Sequence, residues 1–332
     1  MRRRAFLSIV CGAVAWPLAV AAQQSTNSKR LAIFSPSEPS ADLHEHGSKF
    51  SRASFAELRR LGQIEGQNLK VESYGREQNT SGPEALATEI VRSSPDVIFV
   101  VGPGAVIFKK LTSRIPIVVI TSDPVKQGLA ESLAHPGGNF TGVSIDAGLS
   151  IHGKRIALLL EMVPTMSKLG CLALRLGWNG SSAGAFRAAA ETAGLPLAVS
   201  LLEIGSSEAD YRAAVESISR DGANAVMVLD SPEVFQNSTL IAKLVGDAKL
   251  PAIFHNVEAV EAGSLMAYSF DLIELYKRVG NNIGAILRGA KPGDIPIYQV
   301  TKFELSINIT TAKQLGLSVP PALLASADKV IE

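Results

Sequence analysis

Two rounds of one rhythm, an apolar strand, a turn and then an amphipathic helix, constrain this chain more than any other feature. In the first round Arg30-Leu31-Ala32-Ile33-Phe34 is a short apolar run that stops at Ser35-Pro36. Phe50, Phe55, Leu58 and Leu61 then recur at helical spacing, and Gly62 ends that helix. Leu69-Lys70-Val71-Glu72-Ser73-Tyr74 alternates as a strand does, and Gly82-Pro83 opens a helix carrying Leu86, Ile90 and Val91. Asp96-Val97-Ile98-Phe99-Val100-Val101 and Ile115-Pro116-Ile117-Val118-Val119-Ile120 are apolar nearly throughout, as strands covered on both faces are. Thr141-Gly142-Val143-Ser144-Ile145 follows a Pro-Gly-Gly turn.

The rhythm then restarts. Strands are expected at 169–174, 197–204, 223–229, 251–254 and 264–268, with helices between and after them at 183–193, 208–219, 233–245 and 271–288. Such alternation predicts an α/β fold of two Rossmann-like lobes, each a parallel sheet with helices on both faces. The tail, 297–332, holds two more strand-like pieces and a short helix, and is expected to return to the first lobe across a multi-strand hinge. The expected division is 29–145, 271–290 and 303–332 in the first lobe, with 146–270 and 291–302 forming the second lobe and hinge. Open sheets of this kind bind ligands beyond the carboxyl ends of their strands, where helix N-termini and loop amides converge. Two lobes facing across a hinge make a cleft that closes on a small molecule.

The amino terminus gives an address. Met1-Arg2-Arg3-Arg4-Ala5-Phe6-Leu7-Ser8 is a basic head, an apolar stretch runs from Ile9 to Val20, and Ala19-Val20-Ala21-Ala22 supplies the small residues of a cleavage site. Residues 1–22 therefore read as an export signal removed from the mature protein, whose working place is the periplasm. Arg3-Arg4-x-Phe6-Leu7 resembles a twin-arginine signal, with general secretion as the alternative. The stretch is too short to span a bilayer comfortably, and no later segment reaches that length. Losing three arginines with the leader takes the formal charge from +1 to −2. That balance gives no electrostatic reason to expect nucleic acid or a membrane surface as partner. The roughly 310 residues that remain suffice for two domains of ordinary size. Only Cys171 lies beyond the leader, so the mature chain holds no internal disulfide, and Leu169-Gly170-Cys171-Leu172-Ala173-Leu174 reads as a buried strand rather than a nucleophile site.

Several stretches, in order, resemble the ABC transporter substrate-binding proteins of the type I periplasmic-binding fold, in the branch that includes tryptophan- and tyrosine-binding members. They are Phe55-Ala56-Glu57-Leu58-Arg59-Arg60-Leu61-Gly62 with Glu65-Gly66-Gln67-Asn68-Leu69; Ser122-Asp123-Pro124-Val125-Lys126-Gln127-Gly128-Leu129 running on to His135-Pro136-Gly137-Gly138-Asn139-Phe140-Thr141-Gly142; Ile286-Leu287-Arg288-Gly289-Ala290-Lys291-Pro292-Gly293-Asp294-Ile295-Pro296; and Phe303-Glu304-Leu305-Ser306-Ile307-Asn308 with Thr311-Ala312-Lys313. The resemblance implies a non-catalytic receptor that hands a small organic solute, an amino acid or related carboxylate, to the membrane subunits of an ABC permease. It implies a monomer without cofactor, nucleic acid or direct membrane insertion.

Candidate ligand contacts are the first residues beyond each strand. In the first lobe these are Ser35 and Ser37, Gly102 and Gly104, and Thr121, Ser122 and Asp123; in the second, Trp178 and Asn179, Asp230 and Ser231, Asn256, and Tyr268. Hydroxyls and free backbone N–H groups there suit a ligand carboxylate. Asp230 is the choice for a ligand ammonium, although Asp123 before Pro124 and Asp230 before Ser231-Pro232 also suit helix caps. Trp178 can stack on an apolar ligand or pack beneath its own loop.

Three features invite other readings. Gly102-Pro103-Gly104 opens like a dinucleotide fingerprint, but the third glycine is missing and proline removes an N–H from the turn. Asp42, His44 and His46 alternate as ligands of one metal ion would in an extended loop, or form a solvated loop; no metal is assigned. Neither Gly-x-Ser-x-Gly nor His-Glu-x-x-His occurs, which leaves an exported α/β enzyme without a nucleophile or metal set. A periplasmic sensory module of the same fold is the alternative function.

Overall fold

The computed structural model describes residues 28–332 apart from Ala147 and Leu149, and the expected leader at 1–22 lies outside the described residues. Two sheets organise the rest. The first holds β1 (Lys29–Phe34), β2 (Leu69–Tyr74), β3 (Val97–Val101), β4 (Ile117–Thr121), β5 (Phe140–Ser144) and the short β11 (Tyr298–Gln299), in the spatial order β11-β5-β4-β3-β1-β2 with every pairing parallel. The second holds β6 (Leu169–Leu174), β7 (Leu197–Leu202), β8 (Ala225–Val228), β9 (Ala252–Phe254), β10 (Met266–Ser269), β12 (Glu304–Asn308) and β13 (Lys329–Ile331), in the order β13-β12-β10-β9-β8-β6-β7. All its pairings are parallel except β10 with β12.

The central strands are the uninterrupted apolar runs. All five residues of β4 and all four of β8 are buried, because helices cover both sheet faces. In the first lobe those helices are α1 (Lys49–Arg60), α2 (Pro83–Ser93) and α3 (Ala105–Leu111). The second lobe has α4 (Ser150–Met162), α5 (Ser181–Thr192), α6 (Glu208–Arg220), α7 (Pro232–Gln236), α8 (Ser238–Asp247) and α9 (Val257–Glu261). The helix expected at 233–245 is two helices, parted at Asn237, which takes a non-helical backbone. Helix α4 had no counterpart in the sequence reading.

The long helix α10 (Leu272–Leu287) follows β10 but leaves its lobe. It is capped by Asp271, which accepts from the N–H groups of Ile273 and Glu274 at 2.8 and 3.1 Å. Its buried stripe, Leu275, Tyr276, Val279, Ile283, Ile286 and Leu287, joins the first-lobe core with Phe50, Phe55 and Leu58 of α1.

The tail reverses the expected division. Residues 303–332 were assigned to the first lobe, yet β12 pairs antiparallel with β10 (Met266 opposite Ile307, Ser269 opposite Glu304) and β13 pairs with β12. Leu305 and Ile307 sit in the second-lobe core beside Leu169 and Ile253. Residues 291–302 were assigned to the second lobe and hinge, yet β11 adds to β5 of the first sheet, and the Ile297 N–H donates to Leu133 O at 2.7 Å. A strand buried on both faces must find two covered flanks, and the second lobe offers β12 that place between β10 and β13. Helices α11 (Ile309–Gln314) and α12 (Pro321–Ala325) follow in the same lobe. The chain thus passes between the lobes after β5, after β10 and after β11, which makes the connection a multi-strand hinge. No helix among the described residues is long and apolar enough to cross a membrane.

Helices α1 and α10 approach closely because Gly280 and Gly284 lack side chains at the contact. A Cβ on Gly280 would collide with the Ser54 carbonyl oxygen, which is backbone and cannot swing away. Gly280→Ala should therefore destabilise the protein by about 1–3 kcal/mol of overpacking, despite the helix propensity that alanine adds; a lowered thermal midpoint with unchanged far-ultraviolet circular dichroism is the expected result.

Candidate functional site

The carboxyl ends of both sheets meet. Pro232 at the start of α7 comes so close to Gly102 beyond β3 that a Cβ there would lie 3.2 Å from its ring. Phe50 of α1 meets Phe235 of α7 edge to face, with ring centroids 5.5 Å apart. Lys49 pairs with Glu258 of α9 at 2.8 Å. These contacts join the loops after β1 and β3 to those after β8 and β9, so the lobes are closed on one another.

The second-lobe half of the cleft is built on Arg155. Helix α4 carries this arginine on its sheet-facing side, and its side chain is 1% exposed. Its Nη1 donates to Asp230 Oδ1 at 2.6 Å, and its Nε donates to the Tyr268 carbonyl at 3.0 Å. Nη2 is buried without a partner among the described residues. Asp230 follows β8, at the edge of the cleft, and keeps 31% of its side-chain surface open although protein closes round it. Burial pushes its carboxyl up, but Arg155, His255 and His152 outweigh burial and hold it below the ordinary 3.8. His255, beyond β9, lies 3.8 Å from Asp230 Oδ1. Burial keeps His255 and His152 below the usual histidine range, so both are neutral at pH 7. The His152 ring nitrogen Nε2 shares a 2.9 Å hydrogen bond with Ser182.

The first-lobe half is aromatic and acidic. Phe50 lies 5.6 Å from Tyr276 of α10, which meets Phe99 of β3 edge-on at 5.8 Å. Phe235 crosses into this cluster from the second lobe and lies 6.2 Å from His255. Glu38, in the loop after β1, is 5% exposed. The Ser35 hydroxyl donates to its Oε1 at 2.7 Å, and its charge reaches Tyr276. Burial raises the Glu38 carboxyl above the ordinary 4.5, the Ser35 hydrogen bond opposes this, and the charge of Asp42 adds to it.

Of the residues expected at the site, Ser35, Gly102, Asp230, Ser231, Asn256 and Tyr268 lie along these meeting edges. Ser231 caps α7 by accepting from Val234 N–H at 3.1 Å. Asn256 precedes α9 with its Oδ1 buried and unpartnered. Tyr268 stacks on Phe303 at 5.6 Å. Gly104 packs against Phe34 beneath α3. The other candidates are engaged locally. Thr121 donates to Gln127 Oε1 at 2.8 Å, Gln127 donates to Ser122 Oγ at 3.1 Å, and Asp123 caps the following turn through Val125 and Lys126 N–H. Ser37 offers its carbonyl to Arg76. Trp178 neighbours Phe186, and the Arg187 guanidinium lies 4.8 Å over its ring, so its loop packs on its own helix; Asn179 beside it is exposed. His46 pairs with Glu45 at 3.3 Å, and among the described residues no three His, Cys, Asp or Glu side chains are grouped to hold a metal ion.

Arg155, His152, Glu38, Phe50, Phe235 and Tyr276 were absent from the sequence candidates, and His255 carried no assigned role. The helical recurrence of Ile151, Arg155, Leu158, Leu159 and Met162 was the available signal for α4 and its arginine.

Two lobes closing charged and aromatic side chains between sheet edges define a small-molecule-binding protein of the type I periplasmic-binding fold. Residues 48–331 match the family described as ABC transporter substrate binding protein, and the chain belongs to that family. A tyrosine-binding protein from Clostridioides difficile (strain R20291) is 25% identical over 293 residues, 83% of this chain and 80% of that protein. The solved structure of a conserved domain protein from Vibrio cholerae O1 biovar El Tor superposes with a TM-score of 0.79 at 25% identity, covering 92% of this chain and 100% of that one. The ABC domain from Streptococcus pneumoniae, in complex with L-Trp, gives a TM-score of 0.77 at 24% identity, with 92% and 100% covered.

Two outcomes test the site's electrostatics. Replacing Arg155 by Met strands the Asp230 carboxylate, and should cost on the order of 2–4 kcal/mol in denaturant unfolding, discounted for the open side of Asp230. A carboxyl whose folded pKa lies above its unfolded value removes stability as pH rises from 4.5 through that folded value. Asp42 is the charged group that bears on Glu38, the Arg76 backbone N–H donates to its carbonyl, and no salt bridge to its carboxylate forms among the described residues. Glu38→Gln should therefore raise the thermal midpoint of the ligand-free protein at pH 8, with the gain disappearing near pH 4.

Proposed function

We propose that this chain is an exported receptor of an ABC import system, and that it closes on an amino acid with an aromatic side chain for delivery to a membrane permease. The observation that carries this reading is the aromatic group Phe50, Tyr276 and Phe235, drawn from both lobes and flanked by the carboxylates Glu38 and Asp230. Aromatic rings from both walls give an aromatic solute apolar area and edge-to-face partners, worth about 0.5–1.5 kcal/mol per ring pair beyond burial. The Ser231 hydroxyl and the loop amides at Gly102 and Asn256 suit the solute's carboxylate. The tyrosine named for the curated relative and the L-Trp bound in the streptococcal structure support the same ligand class. The basic, apolar and small-residue sequence of 1–22 supports export.

Binding also accounts for closure. Phe235, from the second lobe, packs against the first-lobe core, and a solute lying between the lobes would add contacts to both walls at once. The Lys49–Glu258 pair is partly exposed and contributes little by itself. A thermal melt of the mature protein with L-tyrosine, L-tryptophan or L-phenylalanine should show stabilisation that grows with the logarithm of ligand concentration, about 2.7 kcal/mol at a hundredfold excess over Kd. L-Alanine and L-glutamate should give none. Absence of any shift with the three aromatic amino acids would overturn the ligand class.

A further inference from the structure

We propose that Glu38, rather than Asp230, is the residue that selects an ammonium-bearing solute over its des-amino counterpart; this rests on the amino-acid reading of the cleft. The two acidic groups of the cleft differ in what already neutralises them. Asp230 has a full-charge partner in place, the Arg155 guanidinium at 2.6 Å, itself buried and fixed by Tyr268 O. An incoming ammonium would find that negative charge largely spent. Glu38 is 5% exposed and has one neutral donor, the Ser35 hydroxyl, on Oε1. Among the described residues no cation forms a salt bridge with it, and the charge that bears on it is another carboxylate, Asp42.

A buried carboxylate without a cation is costly to keep ionised. It is retained at low cost only if a cation arrives in the functional state. The position fits such an arrival. Glu38 follows the carboxyl end of β1, which pairs with β3, and the end of β3 at Gly102 meets Pro232 of the opposite lobe; Phe50, in the helix that follows the same loop, touches Phe235 of that lobe. An aromatic amino acid with its ring among Phe50, Tyr276 and Phe235 carries its ammonium a few bonds from that ring, within reach of the first-lobe wall. Ser35 holds the carboxylate from the side of Oε1 and leaves Oε2 for the ligand. Arg155 and Asp230 then form a neutral pair whose task is to hold the second-lobe wall.

The experiment compares L-tyrosine with 3-(4-hydroxyphenyl)propanoate, and L-tryptophan with 3-(indol-3-yl)propanoate, by calorimetry on the mature protein. Wild type should prefer the amine of each pair by about 10- to 100-fold, the span of a charge-assisted hydrogen bond. Glu38→Gln should abolish that preference by weakening the amine ligand alone, and Ser35→Ala, which keeps the charge but frees its orientation, should reduce it several-fold. Asp230→Asn should weaken both members of a pair alike. Retention of the amine preference in Glu38→Gln, or its loss in Asp230→Asn with Glu38→Gln unaffected, would overturn the assignment while leaving the receptor reading intact. Tight binding without amine preference in wild type would also overturn it. If wild type binds neither member of either pair, the amino-acid reading fails, and this assignment fails with it.

Discussion

A single buried guanidinium holds the second lobe's half of the cleft in shape. Arg155 reaches from α4 to the end of β8 through Asp230 and to the end of β10 through the Tyr268 carbonyl, tying three elements at the edge that faces the other lobe. Taking a guanidinium out of water costs several kcal/mol unless it is paired and hydrogen-bonded. The pairing therefore cannot be loosened without cost, and the edge cannot drift. The two histidines beside it stay neutral, so the charge around Arg155 is a balanced pair rather than an excess of either sign.

On that fixed edge the opposite wall is free to close. The contacts described between the lobes include a ring pair, a proline against a glycine, and a partly exposed ion pair. Each is small, and none buries an uncompensated charge. Closure held by such small contacts is easily reversed, as reversible binding of a substrate requires. Among the described residues Glu38 is a buried carboxylate with no cation paired to it, and it belongs to the lobe opposite Arg155.

The fold was legible where physics is local. Continuous apolar runs marked β3, β4, β6 and β8, and the two rounds of strand and helix marked two lobes. The tail was misassigned because a short apolar run announces a strand without naming its neighbour; β12 is settled by pairing with β10, about forty residues earlier in the chain. Helix α4 was missed because His152 and Arg155 lie among its buried residues and interrupt the apolar stripe that reveals an amphipathic helix. The places of the candidate residues Asp230 and Asn256 beyond β8 and β9 were legible, since loop position follows from strand position. The burial of Glu38 was not, because Ser37-Glu38-Pro39-Ser40 reads as a solvated turn and burial there is decided by tertiary packing. Phe50 and Phe235 were read as ordinary helix residues, because what makes them a cleft is the meeting of two lobes.

The route of α10 back to the first lobe has a consequence for biosynthesis. The first sheet begins at residue 29, but the helix that covers it beside α1 ends at residue 287, and its last strand comes later still. On a ribosome making roughly 5–20 residues per second, the amino-terminal half waits on the order of tens of seconds for its missing cover. Throughout that interval Phe50, Phe55 and Leu58 lack the α10 residues that cover them, so the nascent chain stays open to chaperones and protease until its final sixth is made. A truncation that removes only the carboxyl-terminal segment would leave both lobes unfinished, since each takes part of its structure from it.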